Sequence, residues 1–338
     1  DKCGGCQWQH IAYDVQPQFK GLVVQDQFRR IGKFADPPIL EPISDKLGWE
    51  YRNHALFRTT PEGFLGFLSP QSHDVYPVDS CMIVHPLLNE LLGSLDLSHL
   101  ELEWLEMRAG TVTGDLMVLL QTIDEEPPEL QVDFPISIVQ LCHDDAIAPL
   151  IGLDYISEHL RDKKFRISAT SFFQVNSQQA EQLVDLTLEA ADLHGHESVL
   201  DAYCGVGLFT AFLAESAQHV TGIEINPPAV ADAKANLAGM DNVEIITGSI
   251  DEVLPEIDRE FDVIVMDPPR TGLDRFTLDA VANGRAQRLV YISCDPATLA
   301  RDAHRLTKFG YDLDWIQPVD MFPQTYHIEN VALLSRRS

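Results

Sequence analysis

The sequence predicts an α/β protein: a doubly wound, Rossmann-like domain preceded by a smaller α+β domain. Three observations carry this expectation. From about residue 165, apolar strand-like runs alternate with helical stretches. Glycines stand where the first of those runs hands over to a helix. The first half instead shows short strand pairs joined by turn residues. At 338 residues the chain is too long for one compact core, and a division into 1–164 and 165–338 is expected.

Taken in order, Cys3 and Cys6 open the chain in a C-G-G-C run. Residues 52–59 and 64–68 flank Pro61-Glu62-Gly63, which predicts a turn between paired strands. Residues 104–108 and 115–123 flank Thr113-Gly114 in the same way, and 136–142 adds an apolar strand. Asn176 is placed to cap a helix on which Ala180, Leu183, Val184, Thr187 and Ala191 recur at helical spacing. Strands follow at 199–203, 220–225, 243–246, 262–266 and 289–293, with helices between most of them. After a helix starting at Pro296, two last strands (311–317 and 328–334) have a short connection. Such an antiparallel pair is the ending typical of class I S-adenosylmethionine-dependent methyltransferases rather than dehydrogenases.

The formal charge of −28 disfavours a partner as anionic as nucleic acid. Charge is local, however: Arg161, Lys163, Lys164 and Arg166 gather, as do Arg301, Arg305 and Lys308. Each cluster alone reads more readily as a solvated face than as a phosphate site. No apolar run spans a bilayer and no signal-peptide pattern opens the chain, so no membrane partner is expected. The six cysteines form no secreted disulfide framework, which favours a cytoplasmic setting. Asp1 stands where an initiator Met is expected and points to a trimmed N-terminus.

Four segments carry candidate chemistry. Tyr203-Cys204-Gly205-Val206-Gly207 lies at the first strand-to-helix turn, where glycines admit a ligand to the backbone and free N–H groups. Glu224, some twenty residues on, ends the second strand and is placed to accept ribose hydroxyls. Ser249 and Asp251 follow the third strand, at the adenine edge. Asp267-Pro268-Pro269-Arg270 follows the fourth and sets a carboxylate in a rigid turn. In Ser293-Cys294-Asp295-Pro296, Asp295 suits an N-cap and Pro296 the first helical position, so Cys294 should sit at a helix N-terminus where its pKa is lowered. Cys142 and Cys204, in or beside apolar strands, fit buried structural thiols better. Glu329 in His327-Ile328-Glu329-Asn330 is a candidate base. For Cys3 and Cys6, C-x-x-C alone fits half a zinc site or an iron–sulfur site equally.

These residues resemble a family. Asp267-Pro268-Pro269-Arg270, the run Ser293-Cys294-Asp295-Pro296-Ala297-Thr298-Leu299-Ala300-Arg301-Asp302, Asp320-Met321-Phe322-Pro323-Gln324-Thr325 and His327-Ile328-Glu329 are similar to the RNA uracil-C5 methyltransferases. Ser171-Phe172-Phe173-Gln174-Val175-Asn176 matches a further signature, and Cys3-Gly4-Gly5-Cys6 resembles the iron–sulfur branch that acts mainly on large-subunit (23S) ribosomal RNA. The resemblance implies S-adenosylmethionine as cofactor, Cys294 as nucleophile toward uracil C6, and Glu329 as the base that takes the C5 proton. It further implies that Gln174, Tyr203, Glu224 and Asp267 contact cofactor or target base; Gly205, Gly207 and Ser249 are placed at the cofactor by their turns, Ser249 standing where some members have Asn. Cys3, Cys6 and Cys81 match three ligands of a [4Fe–4S] cluster, the fourth falling before Asp1. Leu208 stands where the family has Asn. The expected partner is RNA, ribosomal before transfer RNA, met by a monomer that flips its target base onto Phe172 or Phe173. The rival readings are a transfer-RNA uridine-54 methyltransferase and a non-catalytic RNA-binding or assembly factor retaining the fold. A cytosine-C5 enzyme fits less well, because the D-P-P turn lacks a second cysteine.

Overall fold

The computed structural model describes residues 3–97, 100–124 and 126–337; Asp1 lies outside them. They form two compact units. One holds the segment up to His10, Leu47–Thr170 and Gln174–Ser177; the other holds Ile11–Lys46, Ser171–Phe173 and the chain from Gln178 onward.

The strands of the first unit are β1 (His54–Thr59), β2 (Leu65–Leu68), β3 (Val75–Pro77), β4 (Leu102–Ala109), β5 (Leu116–Thr122), β6 (Ser137–Leu141) and β7 (Ile147–Ile151), in the sheet order β3-β2-β1-β4-β5-β6-β7. The β1–β2 and β4–β5 pairs are the antiparallel hairpins that the turn residues predict. Alternation along β1 and β4 puts Ala55, Phe57, Leu105 and Met107 into one apolar cluster with Leu88 and Leu91 of α2 (Pro86–Ser94), and Leu102 joins it across a register shift between Leu102 and Trp104. A separate hairpin, β8 (Tyr155–Leu160) and β9 (Lys163–Ser168), completes this unit's strands among the described residues.

The second unit holds β10 (Ser198–Ala202), β11 (His219–Glu224), β12 (Val243–Thr247), β13 (Val263–Met266), β14 (Arg288–Ser293), β15 (Tyr311–Val319) and β16 (Glu329–Arg336). Their order is β12-β11-β10-β13-β14-β16-β15, parallel through β14 and antiparallel where β16 meets β14 and β15. Helices α3 (Ser177–Ala191), α4 (Leu208–Leu213), α5 (Pro227–Asn236), α6 (Ile250–Val253), α7 (Arg275–Asn283) and α8 (Pro296–Thr307) connect the strands. All four residues of β13 are buried, as a parallel strand covered on both faces requires. This is the class I methyltransferase arrangement expected from the strand spacing.

One boundary differs from expectation. Residues 11–46, assigned by position to 1–164, belong to the second unit. Helix α1 (Gln16–Arg30) buries Val24 and Phe28 in the same cluster as Leu299, Ala300, Ala303 and Leu306 of α8. Beyond it, Leu40 N–H reaches the carbonyl of Ile316, Ile43 N–H that of Pro318, and Ile316 N–H that of Pro38. The segment therefore covers the open edge of β15, whose unpaired backbone groups would otherwise face outward.

Candidate active site

The turn after β10 is built from left-handed backbone. Tyr203 has φ 71°, a conformation that costs a non-glycine residue about 1–3 kcal/mol and concentrates at functional sites. Gly207 has φ 87°, and a Cβ there would stand 2.9 Å from the Leu237 side chain, so a glycine is required. Gly205 donates its N–H to one oxygen of Glu224 at 3.0 Å, while the other oxygen accepts from Ile225 and Asn226 at 2.8 and 2.7 Å. The Glu224 carboxylate is thereby fixed in orientation at the end of β11. Tyr203, Glu224, Ser249, Asp251, Asp274 and Arg301 line a cavity of about 350 Å³, of a size that suits a small ligand. Ser249, which precedes α6, makes no cap bond to that helix.

On another side of the same cavity runs the loop 267–273. Its anchor is Asp302 of α8, fully buried, which accepts from the Leu273 N–H and the Tyr291 hydroxyl, each at 2.9 Å. Arg301 pairs with Asp302 and also donates to the carbonyls of Thr271 and Leu273. A Cβ on Gly272 would come within 2.6 Å of an Asp302 oxygen, which explains the glycine. Arg301 and Asp302 fall in the quoted motif, but only the fold shows that they hold this loop. Asp267, at its start, is pushed up to about 7 by burial first and by the Asp201 carboxylate second. Asp201 itself is pushed up to about 6 by burial, against the opposing hydrogen bond from Thr210.

Cys294 and Glu329 come together through strand register. β14 and β16 run antiparallel and their register ends with Ser293 opposite Asn330, so Cys294, the first residue past β14, comes near enough to Glu329 for that carboxylate to act on its thiol. Asp295 caps α8, its carboxylate accepting from Ala297 and Thr298 at 2.9 and 2.8 Å, as expected. The expected depression of the thiol pKa is not found. Burial pushes Cys294 up to about 11, and the Glu329 and Asp267 carboxylates add to the rise. The Arg270 guanidinium opposes them through its charge and a hydrogen bond to the thiol. Two carboxylates and desolvation thus outweigh a helix N-terminus. Glu329 is buried at 3 % exposure, and one of its oxygens has no hydrogen-bond partner. Burial, then Asp267, raises its pKa well above the usual carboxylate range, with Arg270 acting the other way. A buried carboxyl with an unsatisfied oxygen beside a thiol and a guanidinium is costly to maintain and points to chemistry.

The sequence matches the tRNA (uracil-5-)-methyltransferase family over residues 129–337. The chain belongs to this family. An uncharacterized RNA methyltransferase of Halalkalibacterium halodurans is 40 % identical, the match covering 100 % of this chain and 82 % of that protein. Another from Bacillus cereus is 39 % identical over 99 % of this chain and 82 % of its own. Among solved structures, the Pyrococcus abyssi tRNA (uracil-54, C5)-methyltransferase, determined with S-adenosyl-L-homocysteine, superposes with a TM-score of 0.79. It is 28 % identical, with 98 % of this chain and 86 % of that one covered. The present protein is therefore an RNA methyltransferase that uses S-adenosylmethionine.

The remaining candidates of the methyltransferase lie as follows. Gln174 belongs to the first unit, where its carbonyl accepts from the Asn53 side chain at 3.0 Å. Phe173 is buried, whereas Phe172 is 66 % exposed, so the two aromatic neighbours are not equivalent. Cys3, Cys6 and Cys81 are free thiols of the first unit. The Gly4 N–H pins their segment to the Leu68 carbonyl at 2.9 Å. Among the described residues no group of three or more His, Cys, Asp or Glu is arranged to hold a metal ion. The three thiols nevertheless share a neighbourhood: burial first, then the charges of Cys81 and Cys3, push Cys6 up to about 11. In the basic hairpin, Arg166 lies 4.1 Å over the Tyr155 ring and pairs with Asp154, so it is already engaged; Lys164 is exposed. No helix of the described residues is long and apolar enough to cross a membrane.

Proposed function

We propose that this methyltransferase transfers the methyl group of S-adenosylmethionine to C5 of a specific uridine in 23S ribosomal RNA, through a covalent bond between Cys294 and uracil C6. The observation that carries the reading is the closeness of Cys294, just past the end of β14, to Glu329 at the start of β16, each under the influence of Arg270 and Asp267. When bound, S-adenosylmethionine supplies a methyl group on a sulfonium, which the weakly nucleophilic C5 of uracil attacks only once it is activated. The Cys294 thiolate adds to C6 and its electron pair moves through C5–C6 onto the O4 enolate. C5 then takes the methyl, leaving S-adenosylhomocysteine. Glu329, as carboxylate, removes the C5 proton; the C5–C6 double bond reforms, the C6–S bond breaks, and thiolate returns to Cys294. Arg270 stabilises that thiolate at both ends of the cycle. Glu224, beside Tyr203, Gly205, Gly207 and Ser249, offers the ribose and adenine contacts of the cofactor.

Cys3, Cys6 and Cys81 are the residues that would hold three irons of a [4Fe–4S] cluster. Each thiolate of such a cluster ligates a different iron, so its sulfurs need not converge as they do on one ion. Methyl transfer requires no electron, and a cluster held there would brace the first unit. Exposed Lys164 and half-buried Lys163 of the β8–β9 hairpin would meet RNA phosphates. No disulfide joins any of the six cysteines, which fits action in the cytoplasm, by a monomer. The reading is tested by methyl transfer from labelled S-adenosylmethionine to unmodified 23S ribosomal RNA. Wild type should yield 5-methyluridine and Cys294→Ala none; labelling that survives the substitution contradicts it.

A further inference from the structure

The segment that delivers Glu329 is buried and bonded with a single exception. From Val319 to Leu334, Tyr326 alone is exposed, at 55 %, while Phe322 and His327 are half-buried. The backbone beneath it is fixed from several directions. Gln16 of α1 bonds the Gln324 side chain at 2.9 Å and accepts from its N–H at 3.0 Å. Lys20 pairs with Asp320 at 2.5 Å and donates to the Phe322 carbonyl at 3.0 Å. Gln324 itself is held at φ 68°, a left-handed turn that a glutamine adopts only under such constraint. Thr325 donates to the Phe322 carbonyl at 2.8 Å and accepts from the His327 N–H at 3.2 Å. The Tyr326 ring is backed by His327, centroids 4.4 Å apart, and His327 meets Phe322 edge-on at 6.0 Å. An aromatic face is thus held rigid and open to solvent three residues before Glu329.

We propose that Tyr326 is a stacking platform for the nucleobase next to the target uridine in the RNA strand; this rests on the reading of Cys294 and Glu329 as the pair that acts on that uridine. A uracil drawn out to meet them leaves its neighbour without a stacking partner on one side. A ring three residues before Glu329, with one face already against His327, supplies that face at little cost in ordering entropy, since tyrosine has few torsions to freeze. Every base has a π-face, so the platform holds the strand without reading its sequence, and the specificity of the site lies elsewhere. Packing of the hydroxyl plays no part, so phenylalanine should serve as well.

The test compares wild type, Tyr326→Phe and Tyr326→Ala in binding to in vitro transcribed 23S ribosomal RNA and in 5-methyluridine formation on it. Tyr326→Ala should weaken RNA binding on the order of tenfold, with the affinity for S-adenosylmethionine unchanged, and Tyr326→Phe should match wild type. Equal RNA affinity of Tyr326→Ala and wild type overturns the platform, whatever the methyl transfer shows. So does a loss shared by Tyr326→Phe, or one that extends to S-adenosylmethionine. The two readings fail separately. Weakened RNA binding by Tyr326→Ala, when wild type itself makes no 5-methyluridine, sinks the catalytic reading alone; 5-methyluridine made by wild type, with unchanged RNA binding by Tyr326→Ala, sinks the platform alone.

Discussion

In the proposed reaction Cys294 and Glu329 both work as anions, and burial and neighbouring carboxylates shift both toward their neutral forms. The sign of the pH dependence follows. Raised pKa values mean that the active, deprotonated forms grow as pH rises, so kcat/KM should climb through neutral and into alkaline pH without an early fall. Arg270 is the cation of this chain that lowers both groups. Arg270→Ala should therefore shift the rising limb to higher pH and cut the rate at pH 7 by roughly tenfold or more, since one pKa unit is tenfold in thiolate. A pH–rate profile of the variant that overlays wild type would remove Arg270 from the account.

At the scale of elements, the chemistry was legible where it lay in short runs and illegible where it depended on register. Cys294, Asp295 and Pro296 announce a strand end, a cap and a helix start because those preferences are local. The neighbour of Cys294 is not local: Glu329 arrives on an antiparallel strand 35 residues later, and only the pairing of Ser293 with Asn330 sets it opposite. For the same reason the sequence shows the helix terminus beside the thiol but not the two carboxylates that outweigh it. Helix α1 is a second case. Its apolar face is readable, but nothing in Val24 or Phe28 states that their partners are in α8. That helix also carries Lys20, whose buried pair with Asp320 holds the loop before Glu329. Lys20→Met leaves an unpaired buried carboxylate and should destabilise the protein by about 3–5 kcal/mol, whereas adding Asp320→Leu should recover most of it. Thermal unfolding of the single and double variants decides; equal melting temperatures for Lys20→Met and wild type would show the pair to be idle.

For the whole molecule, a net charge of −28 must be reconciled with an RNA substrate. Long-range repulsion is screened within about 8 Å at physiological salt, so local cations can still dock phosphates. Lys163→Ala with Lys164→Ala should weaken RNA binding uniformly across sequences and flatten its salt dependence by about one to two released counterions. An unchanged slope would move the phosphate contacts away from the β8–β9 hairpin. The central claim, a covalent adduct resolved by Glu329, is tested most directly by incubating Glu329→Gln with unmodified 23S ribosomal RNA and S-adenosylmethionine and resolving the products under denaturing conditions. The account predicts a protein–RNA adduct that carries the methyl group, persists because the C5 proton cannot leave, and is absent when Cys294→Ala is added. Free 5-methyluridine-containing RNA from Glu329→Gln at the wild-type rate, with no adduct, would contradict it.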